Sequence, residues 1–251
     1  MTDRGRPDAP RAGLELKRVR IALNGTELVP ETSLTVQPGE VATVMGPSGS
    51  GKSSLLAYLC GTLARVFQAG GEVWINGVDV TRHPVERRQI GILFQDDLLF
   101  PHMTVGENLL FAIPSSVDSR RQRRDRMRRA LAEAGLEGTE ARDPATLSGG
   151  QRARVALMRT LLARPHAVLL DEPFSKLDED LKASIRGFVF DHVRAQGLPT
   201  LMVTHAAEDA QAAGGPVVRV GRPGTEAAGV NPGPARPDSF GIRPAATLRR
   251  P

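Results

Sequence analysis

The sequence of 251 residues contains one cysteine, one tryptophan and one tyrosine, and aromatic residues make up only 4% of it. Because Cys60 is alone, an internal disulfide is excluded, which fits a reducing compartment. No stretch approaches the roughly 20 apolar residues that a membrane span requires, and residues 1–13 contain no apolar segment for export. These absences predict a cytoplasmic protein, and the length predicts one substantial core, alone or with a small lobe.

Lysine is scarce as well, so arginine supplies nearly all the positive charge behind the formal net charge of +5. The densest arginine cluster, at 120–129, is interleaved with apolar residues at helical spacing, namely Met127, Leu131, Ala134 and Leu136. This spacing favours a helix that packs its apolar stripe inward and turns its arginines to water. Anionic lipid head groups or an acidic loop of a partner are alternative contacts. We expect no nucleic-acid partner, because no aromatic residue lies among the arginines to stack on bases.

Glycine is placed where phosphate binding needs it. Residues 46–53 read GPSGSGKS and match the spacing G-x-x-x-x-G-K-[ST]. Glycines let successive backbone N–H groups form a concave anion nest that opens into a helix N-terminus. Lys52 is expected to reach the β- and γ-phosphates, and the Ser53 hydroxyl to ligate Mg²⁺. The predicted nucleotide-binding residues of this phosphate loop are Gly46, Pro47, Ser48, Gly49, Ser50, Gly51, Lys52 and Ser53.

Alternating strands and helices predict an α/β fold over residues 14–213. With the phosphate loop at 46–53, we expect the core of a P-loop NTPase, with a parallel sheet covered by helices on both faces. An antiparallel β subdomain is predicted at the N-terminus, with Asn24-Gly25 as a hairpin turn and Gly70-Gly71 as a chain break. A small helical subdomain is predicted at about 96–160. Residues 1–13 are expected to be disordered, and the Pro- and Gly-rich residues 214–251 to form a flexible tail.

A second glycine-rich helix start follows about a hundred residues later. Residues 147–151 read LSGGQ, which we call the signature segment, and precede an amphipathic helix. Ser148, Gly149 and Gly150 would again expose bare backbone at a helix N-terminus. One nucleotide needs only one such cradle. If both act on the same ligand, the economical arrangement is two copies placed head to tail, each closing the other's site.

Together with three further elements in a fixed order, these two segments resemble the ATP-binding subunits of ABC transporters. The three are Gln95 after a buried strand, the run AVLLDEP at 167–173 with its turn at 175–178, and His205 after another strand. Residues 92–109 and 151–165 look most like subunits of binding-protein-dependent importers, such as those for thiamine, iron(III), sulfate or polyamines.

The resemblance implies an ATPase that uses ATP and Mg²⁺ and works as a homodimer. Its implied partners are integral membrane permease subunits and a substrate-binding protein, which would place it on the inner face of the cell membrane. Residues 103–108 and the neighbourhood of Phe100 would form the groove for a helix of the membrane subunit. The transported substrate is not encoded here, because this subunit would never touch it.

The resemblance also assigns roles to single positions. Asp171 would hold Mg²⁺ with Ser53 and Gln95, and Glu172 would be the general base that polarises the attacking water. His205 would hydrogen-bond the γ-phosphate and orient Glu172. The implied catalytic residues are therefore Lys52, Gln95, Glu172 and His205. The implied nucleotide contacts across the dimer are Ser148, Gly149, Gly150, Gln151 and Asp178.

Two departures from the family pattern matter. The family usually places an aromatic residue near the first strand to stack on adenine, whereas here Leu23 or a neighbour offers only apolar contact, so we expect weaker affinity for the nucleotide. Lys176 stands where a small residue is common in the turn before Asp178.

Two other classes share these motifs. A soluble ABC-class ATPase that acts on nucleic acid or ribosomes typically carries two cassettes or a long coiled-coil insertion, and this sequence has neither. The cassette of an exporter is disfavoured by the single short chain and by residues 95–109.

Overall fold

The computed structural model describes residues 13–114 and 119–221. In chain order, the strands are β1 (Leu14–Leu23), β2 (Thr26–Val36), β3 (Val41–Met45), β4 (Phe67–Ile75), β5 (Val78–Asp79), β6 (Ile90–Leu93), β7 (Ala167–Asp171), β8 (Thr200–Thr204) and β9 (Val217–Arg219). The helices are α1 (Lys52–Cys60), α2 (Val85–Arg88), α3 (Val105–Ala112), α4 (Arg120–Glu133), α5 (Gly149–Leu162), α6 (Glu179–Ala195) and α7 (Ala207–Ala213), with a 3₁₀ turn at Pro144–Thr146.

The strands form two sheets. Four strands pair antiparallel in the order β2-β1-β4-β5, and five pair parallel in the order β6-β7-β8-β3-β9. The α/β fold with an N-terminal antiparallel part is therefore confirmed. Because the five strands of the second sheet are parallel, the carboxyl ends of β3, β6, β7 and β8 lie at one edge, where ligands bind in such sheets.

The parallel sheet separates two hydrophobic cores. Ala42, Leu169 and Leu201 belong to the core that also contains the antiparallel sheet and α1. Their neighbours in sequence Val41 and Val168 belong to the other core, which contains α3 to α6. Both faces of these strands are buried, which explains why their sequences are continuously apolar rather than alternating.

Three helices begin with the same local signal. Thr104, Ser119 and Ser148 cap α3, α4 and α5, and each exchanges hydrogen bonds with the residue three positions later, Glu107, Gln122 or Gln151. Such capping boxes satisfy two backbone N–H groups that the helix itself leaves unpaired.

Helix α4 carries the arginine cluster as predicted. Met127, Leu131, Ala134 and Leu136 are buried, and the exposed arginines are Arg120, Arg121, Arg124, Arg128 and Arg129. Arg123 differs, because its guanidinium donates to the carbonyl of Leu110 at the end of α3 (2.7 Å). None of the described helices combines the length and the apolar character needed to cross a bilayer.

Two predicted boundaries need correction. Gly70 and Gly71 do not break the chain but lie inside β4, where Gly71 (φ +101°) faces a bulge in β1; a Cβ there would lie 2.4 Å from the carbonyl oxygen of Arg18. The tail predicted from residue 214 begins too early, because Val217–Arg219 pairs with β3 and Val218 is buried. Residues 1–12 and 222–251 lie outside the described part of the chain.

A buried arginine that the sequence analysis did not single out joins α1 to α2. Arg88 is 6% exposed. Its Nε donates to the carbonyl of His83 (2.9 Å), and Nη1 donates to those of Tyr58 (2.9 Å) and Leu59 (2.7 Å) at the end of α1. Its Nη2 donates to the carbonyl of Thr81 (2.6 Å). The side chain therefore satisfies carbonyls from both segments at once.

Replacing Arg88 by Met should lower the free energy of unfolding by about 3 kcal/mol, because the apolar stem stays while four buried or partly buried carbonyls lose a charged donor. Urea denaturation followed by circular dichroism measures this. The neighbouring Arg87→Met is the control, since Arg87 is exposed and surface changes stay within about 0.5 kcal/mol. Equal stability of the two variants would show that the carbonyls find other partners.

Candidate nucleotide-binding site

The phosphate loop joins β3 to α1, and its glycines are required by the backbone. Gly49 and Gly51 have φ of +79° and +86°. At Gly46, a Cβ would lie 2.2 Å from the carbonyl oxygen of Val220 and 2.6 Å from Ser50 Oγ. Helix α1 starts after Gly51 without a side-chain cap. Its first N–H groups therefore face the loop unpaired by any cap, as an anion site requires.

Lys52 follows this loop directly, and its side chain is only 6% exposed. Its Nζ donates to the carbonyls of Gly46 (2.7 Å) and Pro47 (3.0 Å). The hydroxyl of Ser50 is buried, and within the described residues it has no hydrogen-bond partner. A buried cation and an unsatisfied donor in a bare backbone cradle fit a polyphosphate, whose oxygens would satisfy both.

Glu172 and His205 come together with Lys52 from the ends of β7 and β8. Lys52 Nζ lies 3.8 Å from Glu172 Oε1, and His205 Nδ1 lies 3.2 Å from Glu172 Oε2. Glu172 has a left-handed backbone (φ +45°), and its N–H donates to the carbonyl of Val203 on β8 (3.0 Å). Strained backbone of this kind persists only where surrounding contacts hold it, and here it directs the carboxylate between two cationic or hydrogen-bonding groups.

Asp171 is the last residue of β7. Burial raises the pKa of this carboxyl, the charge of Glu172 raises it further, and Lys52 acts in the opposite direction. A carboxylate that is partly desolvated beside a second carboxylate favours a bound cation. Among the described residues, no group of three or more His, Cys, Asp or Glu side chains is placed to hold a metal ion by itself. Mg²⁺ needs no such group, since it takes one or two carboxylates and completes its shell with waters and phosphates. The oxygen donors of Ser53, Gln95 and Asp171 fit that requirement.

Gln95 is exposed, two residues beyond the end of β6. We call residues 95–98 the Gln95 loop. Two arginines of α5 contact the residues that follow Gln95. Arg152 Nε contacts Asp97 Oδ2 (3.2 Å), and Arg159 donates to the carbonyls of Leu98 (2.8 Å) and Asp97 (3.3 Å). The sequence analysis missed these arginines. Their spacing of seven residues places both on one face of α5, which is the signal that could have revealed them.

The signature segment lies at the start of α5. Ser148 Oγ accepts a hydrogen bond from the N–H of Gln151 (3.3 Å), and Gln151 Oε1 accepts one from the N–H of Ser148 (3.0 Å). Gly149 has open space, with only the Arg152 side chain at 3.8 Å from a hypothetical Cβ. Gly150 is different, because a Cβ there would lie 2.8 Å from the side chain of Leu181 on α6. Its lack of a side chain thus serves helix packing.

Asp178 is the exposed N-cap of α6 and makes no side-chain cap. In the part of the chain that the structure describes, no hydrogen bond or ion pair joins Asp178 or residues 148–151 to the phosphate loop. Within the described residues, one chain therefore brings together Lys52, Asp171, Glu172 and His205, and no hydrogen bond or ion pair joins the signature segment to them.

The predicted adenine contact stays a prediction. Leu23 ends β1 and pairs with Phe67 on β4, an aromatic residue that the sequence analysis did not consider. A cleft of about 330 Å³ opens on the same hairpin, and its lining contains no aromatic residue: Arg20, Ile21, Ala22, Glu27, Gln68 and Ala69.

Comparison with known proteins identifies the family of the chain. The family model described as ABC transporter matches residues 29–175. The uncharacterized ABC transporter ATP-binding protein YnjD of Escherichia coli (strain K12) is 49% identical over 197 residues, 78% of this chain and 90% of that protein. The thiamine import ATP-binding protein ThiQ of Jannaschia sp. (strain CCS1) is 40% identical over 198 residues, 79% of this chain and 84% of its own length.

A third relative is longer. The Fe(3+) ions import ATP-binding protein FbpC 1 of Rhizobium meliloti (strain 1021) is 39% identical over 184 residues, which cover 73% of this chain and 51% of that protein. The resemblance inferred from the motifs is thereby confirmed. The chain belongs to the ABC transporter family as an ATP-binding subunit, and it is an ATPase.

Proposed function

We propose that two copies of this chain bind two ATP molecules between them, hydrolyse them, and thereby drive the import of a solute through membrane-spanning partner subunits. One observation carries the proposal. Lys52, Glu172 and His205 form a continuous set of contacts at the phosphate loop, whereas the second glycine-rich helix start makes no hydrogen bond or ion pair with that loop among the described residues. A second copy would supply the missing half.

The phosphate loop and Lys52 would bind the triphosphate. Lys52 Nζ already donates to two loop carbonyls, and on binding it would exchange them for β- and γ-phosphate oxygens, while the Ser50 hydroxyl and the first N–H groups of α1 gain acceptors. Ser53, Gln95 and Asp171 would hold Mg²⁺, which when bound neutralises charge on the β- and γ-phosphate oxygens.

Glu172 would act as the general base. A water held by its carboxylate attacks the γ-phosphorus, the proton passes to Glu172, and the bond to the ADP oxygen breaks. His205 Nδ1 lies 3.2 Å from the same carboxylate and would keep it aimed at the water. Ser148, Gly149, Gln151 and Asp178 of the other copy would close the site around the γ-phosphate, with Gly150 seating α5 against α6 as described above.

An apolar surface supports a membrane-subunit partner. Phe94, Leu98 and Phe111 are 42%, 54% and 63% exposed. Phe111 packs edge-on against Phe100 (ring centroids 4.9 Å apart), and Arg159 lies over Phe100 (5.3 Å). Large exposed apolar groups gathered in one place mark interaction sites. These exposed residues lie beside and after Gln95 in the chain, and ThiQ and FbpC are named as import proteins. Both observations favour a position on the inner face of the membrane, with a permease and a substrate-binding protein as partners.

Mixing two inactive variants tests the shared site. Lys52→Ala disables the phosphate loop, and Ser148→Arg places a bulky side chain at the exposed signature segment. In a head-to-tail dimer, a mixed pair combines both defects in one site and leaves the other intact. Random association of two subunits should therefore restore about a quarter of the wild-type ATPase sites, measured as phosphate release after co-refolding or co-expression.

The matched control is a mixture of Lys52→Ala with Glu172→Gln. Both residues belong to the same half-site of one chain, as their 3.8 Å contact shows, so every site in that mixture carries a defect. We expect no recovery there. Equal activity of the two mixtures, with or without recovery, would contradict a site shared between copies.

A further inference from the structure

Lys176, the residue that departs from the family pattern, forms an ion pair with Asp96 across 80 positions of sequence. Asp96 directly follows Gln95, and Lys176 lies in the segment between Glu172 and Asp178, which we call the Lys176 turn (residues 172–178). The pair is therefore a direct contact between the Gln95 loop and the Lys176 turn.

Hydrogen bonds within the Lys176 turn connect its residues, so a displacement of Lys176 would also displace Glu172. Both the N–H and the hydroxyl of Ser175 donate to the carbonyl of Glu172 (3.2 and 2.9 Å). The N–H of Leu177 donates to the carbonyl of Phe174 (3.2 Å). Phe174 is 1% exposed and packs edge-on against Phe190 of α6, with ring centroids 5.8 Å apart. Hydrogen bonds and a buried aromatic anchor make the turn one unit.

The Gln95 loop is tied on its other side to α5. Arg152 contacts the Asp97 carboxylate, and Arg159 donates to the carbonyls of Asp97 and Leu98. Since α5 begins at the signature segment, residues 96–98 are contacted by the helix that would face the nucleotide of the other copy and by the turn whose Glu172 end would face the nucleotide of its own copy. Lys176 is the group that completes the second of these contacts.

Stability does not explain the pair. The side chains of Lys176 and Asp96 are 53% and 64% exposed, and ion pairs this open to water are screened and contribute little to folding. Its position, rather than its strength, distinguishes it from an ordinary surface pair such as Lys182–Glu179 on α6 (2.5 Å).

We propose that Lys176 and Asp96 are positioning residues that couple the Gln95 loop to the Lys176 turn. Resting on the function proposed above, the pair would make the placement of Glu172 and Asp178 depend on whether Gln95 is engaged with the metal ion. Neither residue touches the reacting atoms. Their loss would leave ATP binding intact and change how hydrolysis depends on Mg²⁺.

The test compares Lys176→Ala, Asp96→Ala and the charge-exchanged double variant Lys176→Asp with Asp96→Lys, all in the full chain. Each single variant should lower kcat by about 3- to 10-fold and raise the Mg²⁺ concentration for half-maximal ATPase activity by a similar factor. The KM for ATP at saturating Mg²⁺ should stay within about twofold. The double variant should recover both parameters to within about twofold of wild type, which a purely structural role would not produce.

Lys182→Ala and Glu179→Ala are the matched controls, because they remove a surface pair of the same chemistry outside the two loops; they should leave the Mg²⁺ dependence unchanged. Single variants with wild-type Mg²⁺ dependence, or a charge exchange as impaired as the sum of its parts, would overturn the proposal. Adding Lys176→Ala to Glu172→Gln separates the two hypotheses. If Glu172→Gln alone does not dimerise with MgATP, the proposed function fails. If it dimerises and the added Lys176→Ala does not shift the Mg²⁺ concentration needed for dimerisation, only the coupling fails.

Discussion

Replacing Glu172 by Gln should lower the rate of ATP hydrolysis by about 10²- to 10⁴-fold, the usual contribution of a general base. Glutamine keeps the shape of the side chain and still hydrogen-bonds His205, but it cannot accept the proton of the attacking water. Lys52 keeps both of its loop carbonyls as partners, so the phosphate loop should hold its form and ATP affinity should stay within about twofold. Phosphate release and equilibrium binding of a fluorescent nucleotide measure the two quantities separately.

The same variant should accumulate as a dimer when MgATP is present, because nucleotide would hold the two copies together and hydrolysis could no longer release them. Light scattering behind size-exclusion chromatography detects the change of mass. Glu31→Gln serves as the control, since Glu31 is an exposed carboxylate on β2, and it should behave as wild type in both assays. ATP hydrolysis by Glu172→Gln at the wild-type rate would contradict the role of Glu172 as general base. A variant that stays strictly monomeric at saturating MgATP would contradict the site shared between two copies.

Lys52→Ala should raise the Kd for ATP by more than about 100-fold, since charge-assisted hydrogen bonds to the phosphates contribute about 3 kcal/mol. The loss also affects the loop itself, because the carbonyls of Gly46 and Pro47 lose the ammonium donor and Glu172 loses the cation at 3.8 Å. Isothermal titration calorimetry of the nucleotide with each variant measures the effect.

Lys17→Ala controls for the loss of a lysine as such. Lys17 is partly exposed and lies over the ring of Trp74 at 4.0 Å, on the antiparallel sheet rather than in the phosphate loop. It should bind ATP like wild type. A thermal unfolding curve for each variant without nucleotide separates loss of binding from loss of fold. If Lys52→Ala remains folded and still binds ATP with the wild-type Kd, the proposed role of the Lys52 ammonium is contradicted.

Sequence reasoning succeeded where the signal is local. The phosphate loop and the ends of β7 and β8 follow from short motifs next to apolar runs, so Lys52, Glu172 and His205 could be placed at one edge of the sheet before their distances were known. The hairpin turn at Asn24-Gly25 is another such case, since both residues have the positive φ that this dipeptide favours (50° and 77°).

Sequence reasoning failed where the cause lies far away in the chain. Gly71 sits in a strand because a bulge at Arg18 faces it, and a side chain at Gly150, whose nucleotide contact stays a prediction, would meet Leu181. Nothing near either glycine distinguishes it from a turn or from a phosphate contact. The sequence analysis did not single out Arg88, and it noted Lys176 only as a departure from the family pattern. Their partners at Leu59 and Asp96 follow only from the folded topology.

The short strand β9 has a consequence for how the protein is made. Val220 donates its N–H to the carbonyl of Met45 (2.7 Å), and its own carbonyl oxygen occupies the space behind Gly46. Domains assemble as their segments leave the ribosome, and residues 217–220 emerge after every other strand of this sheet. Residues 217–220, which lie behind the phosphate loop, are thus the last part of the pocket to be synthesised. The ATP pocket of a nascent chain therefore stays incomplete until nearly all the described residues have been synthesised.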